Sequence, residues 1–208
     1  MKVKICGMKY EENIKEVAQL QPDYMGFIFY QKSPRHFDGY IPILPKPTQK
    51  VGVFVDAYLD DILDKVVRYN LQFVQLHGNE TPDFCRLFKQ TDAKVIKVFS
   101  VDDAFDFNTI KPYESVCDYF LFDTKGKYHG GNGETFNWQI LNDYPSEKPF
   151  FLSGGIGLEE IPSIKKLNLP IHAIDVNSKF EINPGLKDVV NCGKLTNILN
   201  SMQQTHNL

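Results

Sequence analysis

Short runs of apolar, β-branched and aromatic residues recur along this sequence, with polar and charged stretches between them. Most runs are apolar at consecutive positions, which is typical of strands in a parallel sheet that is covered on both faces. The eight runs are Val3–Cys6, Tyr24–Phe29, Val51–Val55, Phe73–Leu76, Val95–Phe99, Tyr119–Phe122, Phe150–Leu152 and Ile171–Val176. Their starts lie roughly two to three dozen residues apart, close to the length of one strand-and-helix unit. Eight such units predict a closed barrel with right-handed crossovers.

The segments between the strands predict helices of unequal length. One segment has the i, i+3, i+4, i+7, i+8 spacing of an amphipathic helix. Its apolar residues are Leu59, Ile62, Leu63, Val66 and Val67. Pro42, Pro45 and Pro47 limit the second helix to a short piece, and residues 100–117 lack a sustained apolar stripe, so we expect the fifth helix to shrink to a loop or a single turn. The sequence therefore predicts a compact α/β fold, a single (β/α)8 TIM barrel over residues 1–208 with reduced second and fifth helices.

Composition and charge narrow the class of protein. The chain has 208 residues, of which 42% are hydrophobic, enough to bury a substantial core. A formal net charge of -3, with both signs scattered, argues against nucleic acid and membrane surfaces as partners. No segment approaches the roughly 18 consecutive apolar residues of a membrane span or resembles a signal peptide, so we expect a soluble, cytoplasmic protein. The four cysteines lack a CxxC pair, which predicts reduced thiols rather than disulfides or a zinc site.

Chemically useful side chains follow several of the predicted strands. Cys6 ends the first apolar run and Asp123 follows the sixth, while Arg35 and His77 follow the second and fourth. In a barrel of parallel strands, active sites lie at the C-terminal ends of the strands, on the loops that follow them. A thiol and a carboxyl group placed there can accept and donate protons on one substrate. Cys6 and Asp123 are therefore the candidate acid–base pair.

Small residues follow the last two strands. Residues 153–157 read Ser-Gly-Gly-Ile-Gly after the seventh strand, and residues 175–178 read Asp-Val-Asn-Ser at the end of the eighth. Barrels commonly bind a phosphate group at these two loops, where small residues let backbone N–H groups approach it. A lone glycine-rich turn more often only reverses the chain, so the phosphate prediction depends on where the two turns lie in the barrel.

Read in order along the whole chain, a set of short segments resembles one family. The segments are Lys4–Met8, Gly26–Phe29, Ser33–His36, Val51–Phe54, Val74–Gly78, Leu121–Asp123, Gly130–Gly133, Leu152–Ile156 and Asp175–Ser178, followed by Glu181, Gly185 and Lys187. Together they resemble the phosphoribosylanthranilate isomerases, which perform an Amadori rearrangement in tryptophan biosynthesis. Each segment alone is weakly specific, whereas the complete ordered set is highly specific.

The resemblance implies a substrate made of anthranilate joined to a 5-phosphoribosyl group. Asp123 resembles the general acid that protonates the furanose oxygen, and Cys6 resembles the general base that removes the C2′ proton once the ring has opened to a Schiff base. Arg35 resembles the residue that meets the anthranilate carboxylate, a contact suited to a planar fork of donors. The remaining implied substrate contacts are Gly154, Gly155, Asn177 and Ser178 at the phosphate. His77, which follows the fourth strand, is a separate candidate contact at the rim of the barrel. The positive imine is itself the electron sink, so the resemblance implies no metal and no organic cofactor.

Two positions depart from the family pattern. Asn132 stands where the glycine-rich turn after the sixth strand usually has threonine or serine, and a polar side chain is kept there. Lys179 follows Ser178 where a glycine is usual. We expect either a different backbone conformation in this loop or a direct contact between Lys179 and the phosphate.

The role of Cys6 as a base sets an electrostatic requirement. At the reference pKa, only about three per cent of a cysteine is thiolate at pH 7. We therefore expect Lys4, two residues along the same strand face, to lower the pKa of the Cys6 thiol. The role of Asp123 as an acid likewise requires surroundings that keep its carboxyl group protonated, and burial favours that form.

Two other classes of function stay open on the residues alone. Another phosphosugar-processing TIM barrel, such as a metal-dependent epimerase, needs several histidine and carboxylate ligands, and only His36 and His77 lie near the expected face. A barrel that binds a phosphosugar without turnover would serve regulation or scaffolding. The sequence leaves monomer and homodimer open, and it does not decide whether the related aminoimidazole ribonucleotide of histidine synthesis is accepted.

Overall fold

A closed barrel of parallel strands forms the centre of the computed structural model, which describes residues 1–124 and 138–204. Within these ranges eight strands pair in sequence order, and the eighth pairs with the first through the register Lys4↔Asp175. The strands are β1 (Lys2–Ile5), β2 (Tyr24–Ile28), β3 (Gln49–Phe54), β4 (Phe73–Leu76), β5 (Lys94–Val101), β6 (Tyr119–Thr124), β7 (Phe150–Leu152) and β8 (Ile171–Val176). The predicted (β/α)8 barrel is confirmed.

The helices are as uneven as the sequence predicts. The α-helices are α1 (Glu11–Ala18), α2 (Leu59–Tyr69), α3 (Pro82–Arg86), α4 (Ile161–Ile164) and α5 (Val189–Gln204). Short 3-10 helices cover Leu87–Gln90, Phe107–Tyr113, Trp138–Asp143 and Ser178–Phe180. No helix forms between β2 and β3, and the fifth connection carries only the 3-10 helix that contains Pro112, so both expected reductions are confirmed.

Two of the helices show at single residues how the sequence determines their bounds and their buried faces. Thr81 caps α3 by accepting a hydrogen bond from the Phe84 N–H at 3.3 Å, and Pro82 occupies the first turn. In α2, Ile62 is fully buried, whereas Val67 is 81% exposed. The apolar stripe of α2 is therefore narrower than the sequence pattern predicts, because Val67 lies outside it. No helix in the described part of the chain has the length and apolar character needed to cross a membrane.

Apolar side chains cover both faces of the barrel wall. One cluster contains strand residues alone and fills the barrel interior, while a second cluster joins the outer face of the strands to the helices. The interior cluster consists of Tyr24, Val51, Phe73, Ile96, Val98, Leu121, Phe151 and Ala173. Successive side chains of a strand point to opposite faces, so residues two positions further along also face inward. Those positions include Gly26, Gln75, Asp123 and Asp175. The interior is thus apolar in its middle and polar towards the C-terminal ends of the strands.

A small hairpin after β8 extends this polar end. Strands β9 (Glu181–Asn183) and β10 (Leu186–Lys187) pair antiparallel, and Gly185 has a φ of +86° in the turn between them. A positive φ is readily adopted by glycine, which explains the residue at this turn. The hairpin was not part of the sequence prediction, and it brings Glu181 and Lys187 to the C-terminal end of the barrel.

Candidate active site

The Cys6 thiol lies directly beyond β1 and is 4% exposed. Lys4 lies two residues earlier on the same strand face, and the positive charge of its ammonium group acts on the Cys6 thiol. Room for both groups comes from Gly26 on the neighbouring strand β2. A Cβ atom at Gly26 would lie 2.7 Å from the Cys6 Sγ and 3.2 Å from the Lys4 Nζ. Any side chain at this position would therefore displace the thiol or the ammonium group.

Lys4 is held by a carboxylate on the adjacent strand. Its Nζ lies 2.9 Å from the Oδ1 of Asp175, and the two side chains are 0% and 7% exposed. Buried charges are retained only when they are paired and hydrogen-bonded. Burial by itself lowers the pKa of Lys4, but the negative charges of Asp175 and of the Cys6 thiolate outweigh it and raise that pKa above its ordinary value.

The predicted effect of Lys4 on the pKa of Cys6 has the right direction, but Lys4 does not set the net pKa. Burial is the largest influence and raises the pKa of the Cys6 thiol, and the carboxylate of Asp175 raises it further. Lys4 lowers that pKa in the expected sense, and Lys187 does so more weakly, yet the net pKa lies above its ordinary value. The prediction of a net lowered pKa for Cys6 is therefore wrong, because desolvation of the thiolate outweighs the nearby cations.

Asp123 lies near the end of β6 and is buried beside the imidazole of His77. The Oδ2 of Asp123 is 3.5 Å from the His77 Nε2, and the His77 Nδ1 is 3.4 Å from the Gln75 Nε2. The sequence placed His77 at the rim, and the structure places it against the candidate acid.

Asp175 belongs to the same polar cluster as Asp123. Burial raises the pKa of Asp175 above its ordinary value, Lys4 opposes that shift, and the charges of Asp123 and His77 also act on this carboxyl group. Asp175 is therefore paired with Lys4 and also interacts electrostatically with Asp123. The two candidate proton-transfer groups lie in one buried cluster at the C-terminal ends of the strands.

Arg35 is fixed by a two-pronged ion pair. Its Nε donates to the two carboxylate oxygens of Glu181 at 2.9 and 3.0 Å, and its Nη2 donates to Oε2 at 2.7 Å. The Lys187 Nζ donates to Glu181 Oε1 and to Asn177 Oδ1, both at 2.7 Å. Burial acts to raise the pKa of Glu181, but the bonds from Arg35 and Lys187 overcome it and hold that pKa below its ordinary value. Glu181 thus stays ionised and fixes the guanidinium plane.

Gly7 allows Arg35 and Asn177 to pack against the chain just after β1. Its φ is +77°, and a Cβ atom there would lie 2.7 Å from the Asn177 Oδ1 and 2.9 Å from the Arg35 Cδ. Both the backbone conformation and the crowding require glycine at this position. Arg35 and Asn177 are consequently close to each other and to the residue that follows Cys6.

The candidate phosphate residues occupy the expected loops. Gly154 and Gly155 follow β7 with φ angles of +94° and +64°, which places both in the left-handed region. Ser178 and Lys179 begin the 3-10 helix after β8, and Lys179 is exposed and free of positive-φ strain. A glycine is therefore not needed after Ser178 in this loop. The glycine-rich segment Gly130–Gly133 lies outside the described residues.

Sequence reasoning found the side chains at the strand ends but missed their partners. Asp175 was noted only as a strand end, and Glu181 and Lys187 only as parts of the resemblance. A charged residue inside an otherwise apolar strand, as Lys4 and Asp175 both are, was the available signal for a buried ion pair. Among the described residues, no group of three or more histidine, cysteine or acidic side chains has the arrangement of a metal site.

A closed parallel barrel with a buried thiol, a carboxyl group and a fixed guanidinium at its C-terminal end defines a TIM-barrel enzyme of the acid–base type. The family model for N-(5′-phosphoribosyl)anthranilate (PRA) isomerase matches residues 3–198. The N-(5′-phosphoribosyl)anthranilate isomerase of Parabacteroides distasonis is 43% identical over 197 residues, which cover 91% of this chain and 89% of that protein. The chain belongs to the N-(5′-phosphoribosyl)anthranilate isomerase family and is an isomerase of tryptophan biosynthesis.

Solved structures agree with this assignment. The phosphoribosylanthranilate isomerase of Thermotoga maritima superposes with a TM-score of 0.82 at 31% identity, covering 98% of this chain and 99% of that one. A structure of phosphoribosylanthranilate isomerase in complex with reduced 1-(o-carboxyphenylamino)-1-deoxyribulose 5-phosphate has a TM-score of 0.79 at 29% identity, with 94% and 96% of the two chains covered. The resemblance in the sequence is therefore confirmed at the level of family and fold.

Proposed function

We propose that this chain converts N-(5′-phosphoribosyl)anthranilate to 1-(2-carboxyphenylamino)-1-deoxyribulose 5-phosphate, with Asp123 as general acid and Cys6 as general base. The observation that carries the proposal is the burial of both groups at the C-terminal ends of strands of one closed barrel, with the Lys4–Asp175 ion pair beside them. A solved relative holds a reduced form of this product.

The reaction needs one proton delivered and one removed. Asp123 protonates the furanose oxygen, the bond from that oxygen to C1′ breaks, and the nitrogen lone pair forms the imine. Cys6 thiolate then removes the C2′ proton, and the electrons of that C–H bond move towards the positive imine. The resulting enol-amine tautomerises to the ketose. Burial of both groups excludes water, which strengthens their interactions with the charges that develop during the reaction.

Arg35 holds the anthranilate carboxylate in this proposal. Glu181 binds Nε and Nη2, so the guanidinium is fixed in orientation before substrate arrives. In the described part of the chain, the Nη1 donors of Arg35 have no hydrogen-bond partner, and they are the donors offered to the substrate carboxylate. A guanidinium that is oriented in advance loses less entropy when the substrate binds.

The phosphate group binds at the two loops after β7 and β8. Gly154 and Gly155 supply backbone N–H groups and carry no side chain of their own, and Asn177 and Ser178 supply polar groups from the neighbouring strand end. Lys179 is exposed beside them and adds a cation at the rim. His77 contacts the sugar near Asp123. Backbone N–H groups and the Lys179 cation balance the phosphate charge, so the proposal involves no bound metal.

The protein acts in the cytoplasm on a small-molecule substrate, as a monomer or a homodimer. A dimeric phosphoribosylanthranilate isomerase is known from Thermotoga maritima. Light scattering on the eluate of a sizing column decides between the two assembly states. Turnover of the aminoimidazole ribonucleotide of histidine synthesis is tested by offering it in place of the anthranilate substrate.

The activity is tested by the fluorescence of the anthranilate substrate. Purified protein is expected to remove the fluorescence at the same rate with and without a chelator. Loss of activity on chelation would favour a metal-dependent phosphosugar enzyme, and binding of the substrate without turnover would favour a scaffolding barrel. The same assay on the Cys6 and Asp123 variants tests the two roles.

A further inference from the structure

A buried ion pair lies on the outer side of the barrel wall, near the C-terminal end of β4. The Lys97 Nζ is 3.0 Å from the Glu80 Oε2, and the two side chains are 4% and 3% exposed. Lys97 belongs to β5, and its neighbours Ile96 and Val98 belong to the interior cluster, so the Lys97 side chain points outward. Neither Lys97 nor Glu80 has a role in the acid–base mechanism above. Buried ion pairs add little net stability, whereas fully bonded polar groups fix the positions of the groups that they contact.

Both members of this pair bind the backbone on either side of His77. The Lys97 Nζ donates to the carbonyl oxygens of Leu76 at 3.3 Å and of Gly78 at 2.7 Å. Together with the bond to Glu80, these bonds match the three donors of the ammonium group. The Glu80 carboxylate accepts from the Gly78 N–H, at 3.1 Å to Oε1 and 3.0 Å to Oε2. The backbone before and after His77 is thus held by buried side chains.

Further hydrogen bonds join this loop to its neighbours. The His77 N–H donates to the Phe54 carbonyl oxygen at 2.8 Å, which continues the ladder between β3 and β4 by one residue. The Glu80 Oε1 also accepts from the Asp56 N–H at 3.0 Å, and the Glu80 carbonyl oxygen accepts from the Tyr113 hydroxyl at 3.0 Å. A fully bonded network of buried polar groups is rigid. His77 therefore projects from a backbone that is fixed on both sides.

The imidazole of His77 connects this backbone to the candidate acid. Its Nε2 is 3.5 Å from the Asp123 Oδ2, and its Nδ1 is 3.4 Å from the Gln75 Nε2. Both distances are at the outer limit of a hydrogen bond, so a small movement of the backbone is enough to break them. The placement of His77 against Asp123 therefore depends on the bonds that hold the loop.

We propose that Lys97 and Glu80 are positioning residues for the isomerisation, because they hold His77 against Asp123. The inference rests on the proposed function, in which Asp123 delivers the first proton. Neither Lys97 nor Glu80 contacts the substrate, and both act through the backbone at His77. When the pair is lost, His77 moves and the Asp123 carboxyl group loses a neighbour that orients it. The groups assigned to the anthranilate carboxylate and the phosphate lie after other strands, so kcat is expected to fall more than KM rises.

The test uses the double variant Lys97→Met/Glu80→Gln, which removes both buried charges together and leaves neither without its partner. Misplacement of a catalytic group by about 1 Å costs about a hundredfold, so we expect kcat to fall at least about tenfold. KM is expected to change less. Glu80→Asp keeps the charge but shortens the side chain by one methylene, which weakens its bond to the Gly78 N–H. If circular dichroism shows that the double variant is unfolded, Glu80→Asp replaces it in every comparison.

The matched control removes a lysine that binds the backbone at the opposite end of the barrel. The Lys148 Nζ donates to the Cys117 carbonyl oxygen at 2.8 Å, and these residues precede β7 and β6. Lys148→Met is expected to lower the melting temperature and to leave kcat and KM unchanged.

A double-mutant cycle measures whether the effect passes through His77. His77→Ala removes the ring, so the Lys97→Met/Glu80→Gln substitutions are expected to lower kcat no further when they are added to His77→Ala. A general loss of barrel geometry would instead lower kcat by the same factor with and without the ring. Proton NMR gives a second readout. The ring signals of His77, assigned by their loss in His77→Ala, are expected to shift in Lys97→Met/Glu80→Gln and to stay in place in Lys148→Met.

Two results would overturn the inference. One is wild-type kcat in folded Lys97→Met/Glu80→Gln, and the other is a loss of kcat that is equally large with and without the His77 ring. Asp123→Asn distinguishes these results from failure of the proposed function. Full kcat in Asp123→Asn contradicts the role of the acid, and the inference with it. Inactive Asp123→Asn beside wild-type kcat in His77→Ala contradicts the inference alone.

Discussion

A Cβ atom added to Gly26 would lie 2.7 Å from the Sγ of Cys6, closer than real Cβ atoms approach such a neighbour. The thiol therefore keeps its place beside Lys4 only because residue 26 has no side chain. Gly26→Ala is expected to displace the thiol and lower kcat at least about tenfold, since a displacement near 1 Å at a reacting group costs about a hundredfold. Steady-state assays on the folded variant measure this effect.

Gly193→Ala is the matched control for this substitution. Gly193 lies in α5, and its added Cβ would meet Leu20 Cδ2 at an ordinary distance of 3.6 Å. Alanine in a helix interior is favoured over glycine by up to about 1 kcal/mol, so we expect unchanged activity and an equal or higher melting temperature. Equal kcat in wild type and Gly26→Ala would show that the thiol does not need its observed position.

The bidentate ion pair between Arg35 and Glu181 predicts that substitutions of either residue will change KM. Arg35→Lys keeps the charge but loses the planar set of donors, and a hydrogen bond to a charged group contributes about 1.5–3 kcal/mol. We expect KM to rise at least about tenfold, with a smaller change in kcat. Glu181→Gln is expected to raise KM less, because an amide still contacts the guanidinium.

Arg86→Lys is the control for Arg35→Lys, since Arg86 is 58% exposed and pairs only with Asp83 in the described chain. It is expected to leave KM and kcat unchanged. A KM for Arg35→Lys equal to that of wild type would remove Arg35 from recognition of the substrate carboxylate.

The ammonium group of Lys4 predicts a shift in the pH dependence of activity. Lys4 lowers the pKa of Cys6, although burial keeps the net pKa above its ordinary value. Removing the cation in Lys4→Met therefore raises that pKa further, and the thiolate then forms only at higher pH. The rising limb of kcat/KM against pH is expected to move to higher pH in this variant. A limb that stays in place or moves to lower pH would contradict the stated charge interaction.

His172 predicts how stability depends on pH. Burial, aided by Lys2, lowers the pKa of His172 to about 4, and its Nε2 lies 2.7 Å from the Tyr24 hydroxyl oxygen. Since the unfolded state has the ordinary value of about 6.5, it binds more protons between these two pH values, and the free energy of unfolding falls as pH falls through that range. His172→Gln keeps a polar partner for Tyr24 and removes the titration. Urea midpoints at pH 7 and pH 4.5 should differ less in His172→Gln than in wild type, and equal differences would exclude this contribution.

The fold was largely predictable from local pattern. The bounds of β4, β7 and β8 agree with the predicted runs, because strands buried on both faces are apolar throughout. The run predicted at Val51–Val55 begins two residues earlier in the structure, at Gln49, because a polar residue at a strand entrance still joins the hydrogen-bond ladder. The apolar residues of a strand therefore do not by themselves show where the strand begins.

The site was predictable only in part. Cys6, Asp123 and Arg35 stand at strand ends, where the barrel topology itself identifies them. Their buried partners join residues far apart in the sequence, as in the pair between Lys4 and Asp175, and no local pattern reports such a contact. The net rise in the pKa of Cys6 was missed for the same reason, since burial depends on the whole fold.

The most direct test of the acid–base roles is kcat in Cys6→Ser and Asp123→Asn, measured by loss of substrate fluorescence on protein that is folded by circular dichroism. General acid and base catalysts each contribute about 10²–10⁴-fold. The account predicts that kcat falls at least about a hundredfold in each variant while KM stays similar. A kcat within a few-fold of wild type in either variant would contradict it.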